Sequence, residues 1–345
     1  MSQYRLLTRA RLAHSLGMVA IASLVFAGQA GDRPVNGTIW AANRGTHSIR
    51  GFDAATGAVV TTVAMAANSQ PGDLAFARGK LYVAEEFGTP PAIAIVDPEA
   101  GVVVHRLILP GGARPHHMHA SVGGNLVAAG LFGTDLVAVV DTYDDSVVGL
   151  WDSNSLTATG RVHAAVFSKD GNTLYLAVDV ANELVALDPH NGHVLWRMSV
   201  PALHEIAVTH DGKFAYASRR SANKIALIDL DNQTFEDVLT LPLPDTLRLS
   251  ANEKLLTVGL RSTPAQLAVV DTSTFEFDLV TLSAPGETTT IAGHQWTSPS
   301  GRFTYAAYEG GANPGLAVID HADANRVVQR LGYAGRPHGV DRVRP

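Results

Sequence analysis

The feature that most restricts the fold is a short apolar run ending in aspartate that recurs seven times. The copies end at Asp53, Asp97, Asp141, Asp188, Asp229, Asp271 and Asp320, at intervals of 41 to 49 residues. That interval is the period of a four-stranded propeller blade. A second strand signal precedes most copies, as in Leu81–Ala84, Leu126–Ala129, Leu174–Ala177 and Phe214–Ala217, and a turn cue such as Ala55-Thr56-Gly57 follows. Strands this short, evenly spaced and without helical periodicity, exclude α/β architectures. The spacing predicts an all-β, seven-bladed β-propeller over residues 31–345. The first repeat, from Thr38, lacks an innermost strand, and residues 337–342 read as that missing strand. The C-terminal strand is therefore expected to pair into the first blade and close the ring, leaving no open edge.

Composition narrows the class further. The chain is 46% hydrophobic and 17% charged, which excludes a disordered protein. Its net charge of −6 carries no basic footprint for nucleic acid. Having no cysteine, it has no disulfide, no cysteine-ligated zinc, no iron–sulfur cluster and no thiol nucleophile. Arg5, Arg9 and Arg11 precede an apolar run from Leu16 to Ala27 and the small residues Gly28 and Ala30. This pattern describes a secretory signal peptide over residues 1–30, and the run is shorter than the roughly 20 residues of a spanning helix. The expected product is an exported, periplasmic, soluble monomer with no membrane contact after cleavage.

Segments such as Asp211–Ala217 followed by Asn223–Asp229 resemble the YVTN-type propeller repeat, and the resemblance runs the length of the mature chain. It implies the propeller fold. It leaves function to the site, because that family includes surface proteins, amine-dehydrogenase-like subunits, lactonase-like enzymes and metal carriers.

Histidine is what this chain adds to a bare propeller. Aligned on the residue two before the turn, the innermost strands carry His116, His163, His204 and Asp245 five positions upstream of Ser121, Ser168, Thr209 and Ser250. His294 stands four before Ser298, a one-residue slip. His338 follows Pro337 as His116 follows Pro115, and the second repeat has Gly72-Asp73 there. Propeller symmetry brings these positions to one face of a central channel. Imidazoles with one carboxylate suit zinc, and also copper or nickel, with Met118 near the ring keeping copper a choice. The set His116, His163, His204, Asp245, His294 and His338 oversupplies a tetrahedral site, so some members would orient the others. Strand alternation places His117 and His119 on one side of the third repeat's inner strand, as a second ligand set, and His116 and Met118 on the other. It likewise turns His204 and Glu205 apart.

Loops after the second strands bring Glu85, Glu86, Asp179, Arg219, Arg220, Arg261 and Glu309 to the same mouth, where they can meet a partner or an anionic ligand. The seven strand-end aspartates read as turn formers. His47, His105, His190, His193, His210 and His321 read as surface residues of outer strands and turns. No nucleophile elbow, His-Glu-x-x-His helix or phosphate loop is present.

Three functions fit this reading. The leading expectation is a non-catalytic metal carrier. An exported propeller with a histidine-rich mouth resembles the periplasmic zinc metallochaperones. That resemblance implies one zinc ion held by some of the six residues and passed to the solute-binding protein of an ABC importer. The second is a metal-dependent enzyme of lactonase, lyase or oxidase type using the same histidines. The third is a scaffold whose channel is merely packed.

Overall fold

The computed structural model describes residues 37–154 and 161–343. The expected signal peptide lies outside the described residues. Among the described residues, twenty-eight strands form seven four-stranded antiparallel sheets, joined by turns and by a short 3-10 turn at Arg220–Ala222. No helix among the described residues is long and apolar enough to cross a membrane. Blade one combines Thr38–Asn43, Ser48–Asp53 and Val59–Ala64 with the C-terminal strand Pro337–Val343, which pairs antiparallel to Thr38–Asn43. The ring is closed as the sequence predicts.

The residues explain the layering. In each blade the two middle strands are almost wholly buried, as in Leu81–Ala84 and Ile93–Val96, and the outermost strand is largely exposed. Apolar side chains from adjoining sheets interlock into clusters; one packs Tyr82, Ile93, Ile95, Leu107, Leu131 and Val140. Truncating such a side chain to alanine costs about 2–5 kcal/mol. Alanines recur in every cluster, and their small volume suits a wedge that narrows toward the axis. The seven strand-end aspartates act as expected: each accepts backbone amides of the following turn, Asp53 from Ala55 and Thr56 and Asp320 from Ala322, for example.

One irregularity is repeated in every blade and shapes the channel. Each innermost strand has a register shift near its entry: between Pro71 and Leu74, Pro115 and Met118, Val162 and Ala164, Leu203 and Glu205, Pro244 and Leu247, Ala292 and Gln295, and at His338–Gly339 opposite Ala42. A bulge sets an extra residue against the neighbouring strand and breaks the in–out alternation. Its partner strand must then approach closely. Opposite the Asp245–Thr246 bulge stands Gly259, where a Cβ would lie 2.2 Å from Thr246 Oγ1 and 3.0 Å from the Ala292 carbonyl oxygen.

Candidate active site at the channel mouth

The bulges stack the channel in tiers. The upper tier, read around the ring from blade two, is Gly72, His116, His163, His204, Asp245, Gly293 and His338. The tier below it is Asp73, His117, Ala164, Glu205, Thr246, His294 and Gly339. Five of the six predicted residues therefore share one level. His294 sits one step deeper, since Gly293 fills its place above. The one-residue slip in the alignment is this change of tier.

Two alternation-based expectations are corrected by the same bulges. His116 turns inward with His117 rather than away from it: His116 Nε2 lies 3.1 Å from His163 Nε2, and His117 Nε2 lies 3.5 Å from Glu205 Oε1. Glu205 also points into the channel rather than away from His204, and it accepts the Leu247 amide at 3.2 Å. Met118 packs in the apolar cluster between blades two and three, so its thioether is not at the ring. Of the histidines read as surface residues, His321 is partly buried and bridges Thr304 Oγ1 and Asn325 Oδ1.

Upper-tier histidines are tied to carboxylates from the ends of second strands. His338 Nδ1 lies 2.6 Å from Glu309 Oε1, and Arg336 Nε donates to Glu309 Oε2 at 2.9 Å. His204 Nε2 lies 2.9 Å from Asp245 Oδ1 and its Nδ1 3.4 Å from Asp179. Asp245 is also bound by Arg220 at 2.8 Å and Arg261 at 3.0 Å. His116 Nδ1 lies 3.3 Å from Glu86, which Arg44 and Arg114 clamp at 2.8 and 3.1 Å. His163 has no carboxylate; it stacks on His204 with ring centroids 3.7 Å apart. Glu86, Asp179, Arg220, Arg261 and Glu309 thus meet the ring as the sequence suggests. Glu85 turns to Arg106, and Arg219 to Asp237. Arg44 and Arg336 are new to the site; Arg336 directly precedes the Pro337-His338 pair, the one signal that could have found it.

The electrostatics divide the imidazoles. Burial pushes the Glu309 carboxyl up, but the His338 hydrogen bond and the cations Arg44 and Arg336 overcome this and hold it at about 2. An ionised Glu309 accepts a hydrogen bond from the His338 Nδ1–H, which leaves the lone pair on Nε2. Burial, with Arg44 nearby, lowers the His338 pKa, so the ring is neutral near pH 7. His116 is lowered by burial, and His163 by burial and four neighbouring imidazoles. His204 moves the other way: burial opposes its charge, but hydrogen bonds to Asp179 and Asp245 win and raise it. Over these groups lies a cavity of about 340 Å³ that also exposes Phe87 and Phe132.

Below, Asp73, His117 and His294 bring donor atoms within 4.8 Å of one another, and all three are buried. Such a group could bind a metal ion. Of the sequence-predicted set only His294 belongs to it; His117 belongs to the second set, and Asp73 fills the second-repeat position.

Comparison with known proteins bears on function. The periplasmic gluconolactonase of Pseudomonas aeruginosa superposes with a TM-score of 0.66 at 19% identity, over 89% of this chain and 99% of that one. A candidate 6-phosphogluconolactonase from Bacteroides uniformis gives 0.65 at 18%, over 90% and 100%. A dihydro-haem d1 dehydrogenase gives 0.60 at 17%, over 88% and 75%. At these identities the likeness shows the fold alone. A comparison with curated protein sequences gives no match. The sequence model of the family described as "Lactonase, 7-bladed beta-propeller" matches residues 110–291. That match overturns the expectation of a non-catalytic metal carrier and points to a hydrolytic enzyme. The geometry is compatible with this: mouth histidines pair with carboxylates, which fixes their orientation for proton transfer as it would for metal binding. With more than half of its sequence matched, the chain belongs to the lactonase family of seven-bladed β-propellers.

Proposed function

We propose that the protein is an exported lactone hydrolase that opens a small lactone at the upper channel mouth, with His338 as the base that activates water. The observation that carries this is the Glu309–His338 pair: a buried, oriented, neutral imidazole whose free nitrogen belongs to a cavity large enough for a sugar-sized ring. Water loses a proton to His338 Nε2 as its oxygen attacks the lactone carbonyl carbon. The carbonyl oxygen gains negative charge, which the Arg44 and Arg220 guanidiniums lining the cavity stabilise. The ring C–O bond then breaks, and the departing oxygen takes the proton back from the imidazolium, giving the open hydroxy acid. Glu309 holds the tautomer and stabilises the transient charge, and Arg336 holds Glu309. Phe87 and Phe132 supply an apolar wall for the ring.

A divalent cation such as zinc would be held by Asp73, His117 and His294. The fit is supported by a buried His117 Nδ1 with no hydrogen-bond partner among the described residues and by the mixed nitrogen and oxygen donors. When bound, the ion would supply a fixed positive charge beneath the mouth. Export is supported by the N-terminal sequence pattern and by the periplasmic location named for the Pseudomonas gluconolactonase.

The test is hydrolysis of glucono-δ-lactone and of simple γ- and δ-lactones by the mature chain in a pH-stat. A positioned general base contributes about 10²- to 10⁴-fold. His338→Ala should lower kcat by that order and His47→Ala should not. No hydrolysis of any lactone above the buffer rate, or full activity in His338→Ala, overturns the proposal.

A further inference from the structure

The channel has a second mouth on the opposite face, and it is chemically unlike the first. Its cavity, about 560 Å³, reaches from Asp73, His117 and His294 down past His119, Arg248, Trp296 and Asp341 on the innermost strands to the turns that follow them. Arg248, on the innermost strand of blade six, is half-buried, and its guanidinium makes no hydrogen bond or ion pair among the described residues. Leaving such a fork of donors without an acceptor is costly in a partly desolvated site.

The carboxylates that line this cavity accept backbone amides, and the Arg248 charge acts on Asp341 without a hydrogen bond or ion pair between them. Asp341 accepts the Phe76 amide at 2.8 Å and the Arg342 amide at 2.7 Å, and Asp73 accepts the Met118 amide at 2.9 Å. Against these two acids stand four cations: Arg78, Lys169, Arg248 and Arg342. Arg78 stacks on Tyr143 and Arg342 lies over Trp296, while Lys169 is exposed at the rim with no ion pair among the described residues. His119 adds a neutral donor: its Nδ1 accepts the Phe167 amide at 3.2 Å, which leaves the ring hydrogen on Nε2. Four cations against two acids around one cavity, in a chain of net charge −6, make this mouth locally positive.

We propose that this lower mouth is a binding site for a small anion bearing a carboxylate or phosphate group, with Arg248 as its bidentate anchor and Lys169 at the rim. Val166, Ile206 and the Trp296 indole form apolar walls for the ligand's remainder. The site shares none of the upper-tier residues, but Asp73, His117 and His294 line its inner end.

Isothermal titration of the mature chain with inorganic phosphate, and separately with gluconate, at constant ionic strength tests it. At least one probe should saturate at a single site. Losing the charge-assisted bonds of Arg248→Gln should weaken it about tenfold to a hundredfold, whereas Arg248→Lys should retain part of the affinity. His338→Ala, at the other mouth, should bind as the wild type does. Phosphate alone saturating assigns phosphate recognition, and gluconate alone assigns carboxylate recognition. Lys169→Gln, exposed and neutral to the fold, should weaken binding severalfold even if Arg248→Gln does not fold. Failure of both probes to saturate, unchanged affinity in Arg248→Gln or in Lys169→Gln, or loss of binding in His338→Ala overturns the proposal.

Discussion

Replacing Asp245 by asparagine tests whether the upper mouth is held together as an ion network. Asp245 is 2% exposed, and its carboxylate meets His204 Nε2 at 2.9 Å, Arg220 at 2.8 Å and Arg261 at 3.0 Å. Burial alone would raise its pKa; the His204 hydrogen bond and charge, then Arg261 and Arg220, reverse this and hold it well below the carboxylate range. Asparagine keeps the shape and one carbonyl acceptor but removes the charge. Removing one partner from a fully buried pair costs about 3–5 kcal/mol. Two features reduce that here. The Arg261 and Arg220 side chains are 43% and 29% exposed, so water screens them. His204 can also shed its proton. A loss of about 2–3 kcal/mol is expected near pH 6. With an unfolding entropy near 2.1 cal/mol/K per residue over roughly 300 residues, this lowers Tm by about 3–5 °C.

The pH dependence is the sharper diagnostic. A depressed carboxyl pKa contributes stability above the unfolded value of about 3.9, and that contribution is lost as pH falls through the folded value. The raised pKa of His204 contributes fully below the unfolded value of about 6.5, and its contribution is lost as pH rises through the folded value. Asp245→Asn removes the first contribution and much of the cause of the second. The stability gap between wild type and variant should therefore be widest from about pH 5 to 6.5 and narrow on both sides. Urea unfolding followed by tryptophan fluorescence at a series of pH values measures it. A gap that does not change with pH, or one below about 0.5 kcal/mol near pH 6, would refute a network of buried charges.

Other expectations follow from the same geometry. Because His338 acts when neutral and its pKa lies below the ordinary 6.5, kcat/KM should hold down to that pH and fall only in more acidic buffer; an acid limb centred above about pH 7 contradicts the assignment. Zinc added to the mature chain and dialysed should remain near one per chain by elemental analysis, should be lost from His117→Ala and should be kept by His163→Ala. Loss from His163→Ala instead would move the ion to the upper tier. Deleting residues 337–345 removes the strand paired to Thr38–Asn43 and bares an edge strand, so size-exclusion chromatography should show aggregate in place of monomer; a stable monomer would mean that ring closure contributes little.

The fold was legible because each of its determinants is local. The seven strand-end aspartates cap their own turns, so their spacing alone reports the blades. The ring at the upper mouth was legible for a related reason: five positions before the turn is the same place in every blade, whatever happens between. What local rules missed is the bulge. Period-two alternation assumes an unbroken ladder, and each innermost strand breaks it where seven sheets converge on one axis. His116 and His117 consequently both turn inward, Glu205 follows His204 into the channel, and His294 drops a tier. No residue preference at Ala292-Gly293-His294 announces this, since the shift is set by pairing with Tyr308 and Ala306 on the next strand. The functional expectation failed for a different reason. A histidine whose Nδ1–H is hydrogen-bonded to a carboxylate offers its Nε2 equally to a proton or to a metal ion. Neither the histidines nor their pairing with Glu309, Asp179 and Glu86 separates a carrier from a hydrolase, and it is the family match that does.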